Sequence, residues 1–291
     1  MPSLPDLVFL HANGYPPECY LPLFEHLGAS YRVQAMPMRP LCPGANPRDL
    51  HDWRPLAGDL MDFLDERGLD RPFVVGHSFG AITSLRVAIR EPDRIRALVL
   101  LDPVLFEPHI IILWKLIRAL GLAYKLHPLV PAALRRRRKF DDLEGTFKRF
   151  RRYSVFRYIS DASLWAYLRG ITQPDAGGGY ELRYTPEWEA RIYVTGVSAD
   201  LELWRALKRI PVPTLFLRGA ETDTFSASAG QRVERLNPAI RVETIPQSTH
   251  LLALERPAEI ADKIVQFFHD VPPPSGGVSQ ATECCAKPAI Q

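Results

Sequence analysis

The 291-residue chain lacks several features that would point to a membrane, a secreted product or a nucleic acid. Its longest apolar stretch, HIIILWKLIRALGLAYKL, is interrupted by Lys115 and Arg118, so no segment reaches the roughly 18 apolar residues that span a bilayer. The N-terminus has neither a basic region nor a long apolar run, which argues against a signal peptide. The net charge of +3 is too small to indicate nucleic acid as a partner.

Cysteine is also scarce, with four in the chain. Cys19 and Cys42 stand alone, Cys284 and Cys285 are adjacent, and this spacing matches no zinc or redox motif. We therefore expect reduced thiols in a cytoplasmic protein. Histidine and acidic residues form no cluster with metal-ligand spacing, so we expect neither a metal nor another cofactor.

Short apolar runs alternate with helical patterns through much of the chain. The apolar runs predict strands at residues 7–10, 31–36, 73–75, 97–101, 214–217 and 242–245. The helical patterns lie at residues 19–27, 53–67, 81–89, 227–236 and 258–268. This alternation predicts an α/β fold, with a mostly parallel sheet covered by helices on both faces.

The alternation stops in a region that is rich in aromatic and basic side chains. We predict a core formed by residues 1–105 and 210–270, with a mainly helical cap inserted at 106–209. Residues 271–291 are rich in Pro, Gly and Ser and are expected to be a disordered tail. The basic run at 135–139 is interpreted as a solvated helix face, because it stands alone in a nearly neutral chain.

Ser78 stands between a short apolar strand and a helix in the segment RPFVVGHSFGAITSLRVAI. A turn this sharp forces its middle residue into a sparsely populated backbone conformation, at a cost of about 1–3 kcal/mol for a residue other than glycine. Gly76 and Gly80 leave room for neighbouring backbone. Strain at a serine indicates a side chain that must protrude, as a nucleophile does.

A serine nucleophile needs a base that is oriented by a carboxylate, and in a parallel sheet such residues lie at the carboxyl ends of different strands. His250 follows the last predicted strand and is the candidate base. Asp223, just beyond the strand at 214–217, is the candidate acid. Glu221 and Asp102 remain alternatives, because each also follows a predicted strand.

Two backbone amides are candidates for an oxyanion hole, which stabilises the negative oxygen of a tetrahedral intermediate. The N–H of Asn13 follows the first strand, and the N–H of Phe79 begins the helix after Ser78. Phe79 also benefits from the partial positive charge at a helix N-terminus. A neighbouring N–H is the alternative to that of Asn13.

Together these features resemble the α/β-hydrolase fold family. The motif GHSFG at 76–80 matches its G-x-S-x-G nucleophile elbow, and the order Ser78, Asp223, His250 matches its order of catalytic residues. The segment LHANGYPP is similar to the family's oxyanion loop, with Ala12 where glycine is more usual. The chain begins close to this loop, so the resemblance implies a sheet shortened at its N-terminal side to about six strands.

The resemblance implies hydrolysis, and a serine at the nucleophile position differs from the aspartate of epoxide hydrolases. We favour a carboxylesterase acting on small-molecule esters, since an aromatic-rich cap indicates an apolar pocket over Ser78. An alternative is a C–C bond hydrolase of diketone-like ring-cleavage products, with Arg183 or Arg191 holding a substrate carboxylate. Both arginines are instead expected to form salt bridges with Glu187 or Glu189. A non-catalytic ligand-binding module of the same fold is an alternative of another class.

Overall fold

The computed structural model describes residues 3–272, so most of the expected tail lies outside the described residues. Within this range, nine strands are present: β1 (Asp6–Leu10), β2 (Arg32–Met36), β3 (Phe73–His77), β4 (Ala97–Leu101), β5 (Lys139–Phe140), β6 (Thr172–Pro174), β7 (Tyr180–Leu182), β8 (Thr214–Gly219) and β9 (Arg241–Ile245).

The same range contains thirteen α-helices: α1 (Leu21–Leu27), α2 (Pro55–Glu66), α3 (Phe79–Arg90), α4 (Pro108–Ala119), α5 (Ala123–Leu126), α6 (Val130–Leu134), α7 (Leu143–Phe150), α8 (Asp161–Ile171), α9 (Pro186–Thr195), α10 (Leu201–Ala206), α11 (Ala227–Leu236), α12 (Leu252–Glu255) and α13 (Pro257–His269). Short 3-10 helices lie at Pro17–Tyr20, Arg39–Leu41, Pro47–Asp49, Pro92–Arg94, Ser154–Phe156 and Leu207–Arg209.

Six strands form one parallel sheet in the order β2-β1-β3-β4-β8-β9. This confirms the predicted α/β class and the expected number of strands. Every residue of β3 and β4 is buried. Helices cover both faces of these central strands, which is why residues 73–75 of β3 and all of β4 are apolar instead of alternating.

Side chains of β1 alternate between two apolar layers, one on each face of the sheet. Val8 and Leu10 pack in the layer that includes α2 and α3. Leu7 and Phe9 pack in the opposite layer, with α1 and α13. The sheet therefore has a hydrophobic core on each face, and its strand ends are free to carry polar groups.

Residues 102–213 connect β4 to β8 and are called the cap segment here. The segment contains α4 to α10 and a small antiparallel sheet in the order β5-β7-β6. The amino-acid sequence does not predict this sheet, because strands of two or three residues are too short to show a strand pattern. The boundaries 106–209 for a separate cap domain stay a prediction.

A buried ion pair joins the cap segment to α3. Arg86 is fully buried, and its guanidinium lies 2.5 Å from the carboxylate of Asp200 and also contacts Glu202. Removing one partner of a buried pair leaves an uncompensated charge, at a cost of about 3–5 kcal/mol. The cap segment is thereby anchored to the helix that follows Ser78.

The basic run at 135–139 differs from the expected solvated helix face. It is not helical, because α6 ends at Leu134 and β5 begins at Lys139. Opposite charges in the cap segment attract most of its side chains. Its ion pairs are Arg136 with Glu189, Arg137 with Asp141, Arg138 with Glu187 and Lys139 with Asp175.

Gly80 allows α3 to lie directly against β1. A Cβ at this position would stand 2.6 Å from the carbonyl oxygen of Leu10 and 2.7 Å from that of His11. Both contacts are with backbone, which cannot move aside as the end of a flexible side chain can. The second glycine of the GHSFG motif is therefore required by packing.

We expect Gly80→Ala to lower the free energy of unfolding by at least about 2 kcal/mol, because the added methyl group overpacks the junction of helix and sheet. Gly58→Ala is the matched control: it lies in α2, and its Cβ would have no atom within 4 Å. We expect this control to be neutral or to stabilise by up to about 1 kcal/mol. Urea denaturation measures both variants, and equal effects would contradict the packing argument.

Candidate active site

Ser78 occupies the turn between β3 and α3 in a strained conformation. Its φ of 60° and ψ of −119° lie outside the regions that residues other than glycine ordinarily adopt. The predicted strain is therefore present in the structure. The turn points Oγ away from the sheet, towards the loop after β9, and the residue is 5% exposed.

His250 contacts Ser78 on one side and Asp102 on the other. Its Nε2 lies 2.9 Å from Oγ of Ser78, and its Nδ1 lies 2.9 Å from Oδ1 of Asp102. With the proton on Nδ1, the ring donates to the carboxylate, and Nε2 is free to accept the hydroxyl proton. This is the geometry in which a histidine activates a serine as a nucleophile.

Asp102 is fully buried at the end of β4, and its carboxylate accepts three hydrogen bonds. Besides His250, the donors are the N–H of Gly219 at 2.8 Å and the hydroxyl of Thr222 at 2.6 Å. Buried carboxylates require such donors, since water is excluded. The three bonds fix the carboxylate in the orientation that holds the His250 ring.

The structure does not bring Asp223 to His250, so the predicted acid must be corrected. Asp223 is exposed on the turn after β8, where its carboxylate accepts a hydrogen bond from Thr224. Glu221, the first alternative, is also exposed and pairs with Arg157. Of the three acids considered in the sequence, Asp102 alone contacts the histidine.

The pairing of β3 with β4 explains why Asp102 is the acid that lies beside Ser78 and His250. Their register sets His77 opposite Leu101, so the next residues, Ser78 and Asp102, leave neighbouring strands side by side. The N–H of Ser78 donates to the carbonyl of Leu101 at 3.0 Å, which continues the ladder into the turn. The signal in the sequence is an aspartate directly after a buried strand, in ALVLLDP, but only the strand order reveals its neighbour.

The two amides predicted for the oxyanion hole lie at the ends of neighbouring strands. Leu10 of β1 pairs with Gly76 of β3. Asn13 and Phe79 each follow one of these paired residues by three positions. Within residues 3–272, neither N–H donates a hydrogen bond to a protein acceptor. The N–H of Ala12 donates to the hydroxyl of Tyr20, which removes the nearest alternative. Asn13 and Phe79 stay a prediction.

The side chain of Asn13 is held by the cap segment. Its Nδ2 donates to the carbonyl of Glu189 at 3.1 Å, and its Oδ1 accepts the hydroxyl of Tyr184 at 2.8 Å. Each partner lies far away in the sequence, in or just before α9. The loop after β1 therefore takes its conformation partly from the cap segment.

A second series of hydrogen bonds runs through the buried ring of His77, the residue before Ser78. Tyr20 accepts the N–H of Ala12 and donates its hydroxyl to Nδ1 of His77 at 2.7 Å. Nε2 of His77 lies 2.8 Å from the carbonyl of His250 and donates to it. Burial lowers the pKa of His77 to about 3, and the neutral ring is the form that this pattern of donors and acceptors requires.

Comparison with known proteins identifies the family of the chain. A sequence model described as the alpha/beta hydrolase family matches residues 7–263. The chain belongs to the α/β-hydrolase family. The match spans the sheet, the cap segment and every residue of the candidate site, so the resemblance drawn from the motifs is confirmed.

Members of the α/β-hydrolase family that resemble this chain are named for several reactions. The sn-1-specific diacylglycerol lipase ABHD11 of Mus musculus is 24% identical over 73% of this chain and 64% of its own length. The 2-(acetamidomethylene)succinate hydrolase of Mesorhizobium japonicum is 24% identical over 92% of this chain and 89% of its own. A solved esterase of M. tuberculosis superposes with a TM-score of 0.70 at 20% identity, covering 92% of this chain and 86% of that one.

The curated relatives named as diacylglycerol lipases and ethanol acetyltransferases are longer proteins. The chain spans 56–67% of the length of four of them. The solved structures are less than 25% identical and show the shared fold.

We expect Asp102→Asn to lower kcat by about 10³–10⁴-fold, because an amide cannot hold His250 in the tautomer that accepts the proton of Ser78. Asp223→Asn is the matched control and should retain the activity of the wild type, since this carboxylate is exposed and makes no contact with the histidine. Hydrolysis of p-nitrophenyl acetate by both variants, with circular dichroism to verify folding, tests the correction. A large loss in Asp223→Asn alone would contradict it.

Because His77 and His11 are buried, we expect the protein to lose stability in mild acid. Burial lowers the pKa of His77 to about 3 and that of His11 to about 4, below the value of about 6.5 expected in the unfolded chain. Between those values the unfolded chain binds more protons, so the free energy of unfolding falls as the pH falls below about 6.5.

Each of these two histidines contributes about 1.4 kcal/mol per pH unit to the slope of the free energy of unfolding against pH. We expect His77→Gln to reduce the slope by that amount between pH 6 and about 4.5, measured by urea denaturation at several pH values. Identical slopes in the wild type and His77→Gln would contradict the assignment.

Proposed function

We propose that this α/β-hydrolase is a carboxylesterase that cleaves small-molecule esters bearing a hydrophobic group. The observation that supports this proposal is the hydrogen-bonded series from Asp102 through His250 to Ser78. Nδ1 of His250 lies 2.9 Å from Oδ1 of Asp102, and its Nε2 lies 2.9 Å from Oγ of Ser78. The series sits at the carboxyl ends of three strands of a parallel sheet, the edge where ligands bind in such folds. No cofactor is needed for this chemistry.

In the proposed reaction, Oγ of Ser78 attacks the ester carbonyl while Nε2 of His250 takes its proton. Asp102 stabilises the positive charge that forms on the ring. The negative oxygen of the tetrahedral intermediate accepts hydrogen bonds from the N–H groups of Asn13 and Phe79. His250 then gives the proton to the departing alcohol, which leaves the acyl group on Ser78.

Water completes the cycle by the same route in reverse. His250 takes a proton from the water, and the resulting hydroxide attacks the acyl carbonyl. Collapse of the second intermediate breaks the bond to Oγ, which recovers its proton from His250. Because Ser78 is 5% exposed, we infer that substrate enters by displacing part of the cap segment.

The alternative of a C–C bond hydrolase receives no support from the arginines that suggested it. Arg183 lies 2.7 Å from the carboxylate of Glu18. Arg191 donates to the backbone carbonyls of Leu50 and Arg48. Each guanidinium therefore already has a partner within the protein. Neither pairs with Glu187 or Glu189, the partners predicted from the sequence.

A ligand-binding module without activity is the alternative of another class. Binding a ligand requires a pocket, but it does not require a serine, a histidine and a buried carboxylate in hydrogen-bonded order. Ser78 also keeps a backbone conformation that costs about 1–3 kcal/mol, which indicates a function for its protruding hydroxyl. Both arguments favour an enzyme.

The proposal includes a cytoplasmic location. Cys19 and Cys42 are free thiols in the structure, the state that thiols keep in a reducing compartment. Cys284 and Cys285 lie outside the described residues.

We expect the wild type to hydrolyse p-nitrophenyl esters in the series from acetate to laurate, and Ser78→Ala to lose at least about 10³-fold in kcat. Ser228→Ala, on the exposed surface of α11, is the matched control and should be fully active. A fluorophosphonate probe should add its mass to the wild type and not to Ser78→Ala. A folded wild type that neither turns over esters nor takes up the probe would overturn the esterase and favour a binding module.

A further inference from the structure

The outer surface of the cap segment exposes many large apolar side chains. Thirteen such side chains are exposed among residues 3–272, and nine of them fall between positions 110 and 134. Exposed patches of this kind mark interaction sites more often than isolated surface leucines do. The nine are Ile110, Ile112, Leu113, Leu116, Leu120, Tyr124, Leu126, Leu129 and Leu134.

Helix α4 is apolar on both its inner and outer sides. Its inner side buries Ile111 and Trp114 against the protein. Leu113, Leu116 and Leu120 follow the helical spacing of three and four residues on the other side, and each is more than half exposed. An amphipathic surface helix would carry polar residues there, so this side lacks an apolar partner within the described chain.

Helices α5 and α6 continue the same layer. The ring of Trp114 lies 5.1 Å from that of His127, between α5 and α6, and His127 stacks on Tyr193 of α9. Val130 and Ala133 of α6 are buried in an apolar cluster with α9. Helix α4 contacts α5, and both α5 and α6 contact α9, so the three helices adjoin; we call their exposed apolar side the α4–α6 face.

The charge on the α4–α6 face has one sign. Residues 108–140 contain no aspartate or glutamate. Lys125 and Arg135 are exposed beside the apolar side chains of α5 and α6, and neither of them forms an ion pair with a carboxylate in residues 3–272. The surface therefore combines apolar side chains with unneutralised cations.

We propose that the α4–α6 face docks on the surface of a membrane that contains anionic lipids. Leucine side chains of the face would enter the boundary between headgroups and acyl chains, and Lys125 and Arg135 would lie beside lipid phosphates and carboxylates. Docking of this kind does not cross the bilayer. None of the helices in the described range has the length and apolar content that a membrane span requires.

A second copy of the chain fits this face less well than a membrane does. A symmetric dimer would place the same patch on both sides of the interface. Lys125 and Arg135 would then meet identical cations without carboxylates to neutralise them. An anionic membrane supplies the opposite charge and an apolar phase together.

Flotation with vesicles tests the proposal without measuring turnover, so its outcome does not depend on the proposed esterase activity. We expect the wild type to float with vesicles of phosphatidylcholine and phosphatidylserine, and more weakly with phosphatidylcholine alone. Leu113→Ser with Leu116→Ser should weaken binding to the mixed vesicles by about tenfold or more. Lys125→Glu with Arg135→Glu should weaken it by at least about tenfold and remove the preference for phosphatidylserine.

Matched controls come from exposed residues outside the face. Leu21→Ser and Arg235→Glu change the same residue types on α1 and α11 and should bind vesicles like the wild type. Thermal unfolding verifies that each variant is folded. A wild type that binds neither vesicle, or controls that lose binding equally, would overturn the proposal. So would a wild-type dimer that fails to float and becomes monomeric in the leucine variant by sedimentation velocity.

Discussion

The candidate site depends first on the hydrogen-bonded register between β3 and β4. This ladder sets His77 opposite Leu101, and the residues that follow, Ser78 and Asp102, leave the sheet side by side. Both have positive φ values, 60° and 39°, so both strands end in sharp turns at the same level. A slip of the register would turn side chains to the other face of the sheet and separate the serine from the carboxylate.

Hydrogen bonds through buried rings then connect the loops that carry the remaining groups. Tyr20 joins the loop after β1 to His77, and His77 joins β3 to the carbonyl of His250. Asp102 likewise holds the turn after β8 through Gly219. Since Tyr20, His77 and Asp102 are buried polar groups whose partners are protein, a displacement of one loop leaves donors or acceptors unsatisfied elsewhere. This is a physical reason for the candidate site to be rigid.

The cap segment has two sides with different chemistry. Towards the core, Glu189 and Tyr184 hold Asn13 by hydrogen bonds, and Asp200 neutralises the buried Arg86. Away from the core, α4 to α6 present apolar and basic side chains without carboxylates. The inner contacts explain how a segment of the chain distant in sequence shapes the loop beside Ser78. If the α4–α6 face docks on lipid, the same segment contacts both the membrane and the loop that carries Asn13.

The sequence by itself determined the parallel sheet, the strained turn at Ser78 and the place of His250, because buried strands, sharp turns and strand ends leave local patterns in residue type. It did not determine the acid. Asp102 and Asp223 both follow strands, and the choice between them depends on which strand lies beside β3, a property of hydrogen bonds between distant segments. The short cap strands, the pairing of the basic run and the unpartnered side of α4 were likewise decided by tertiary structure, since each depends on what the fold places next to it.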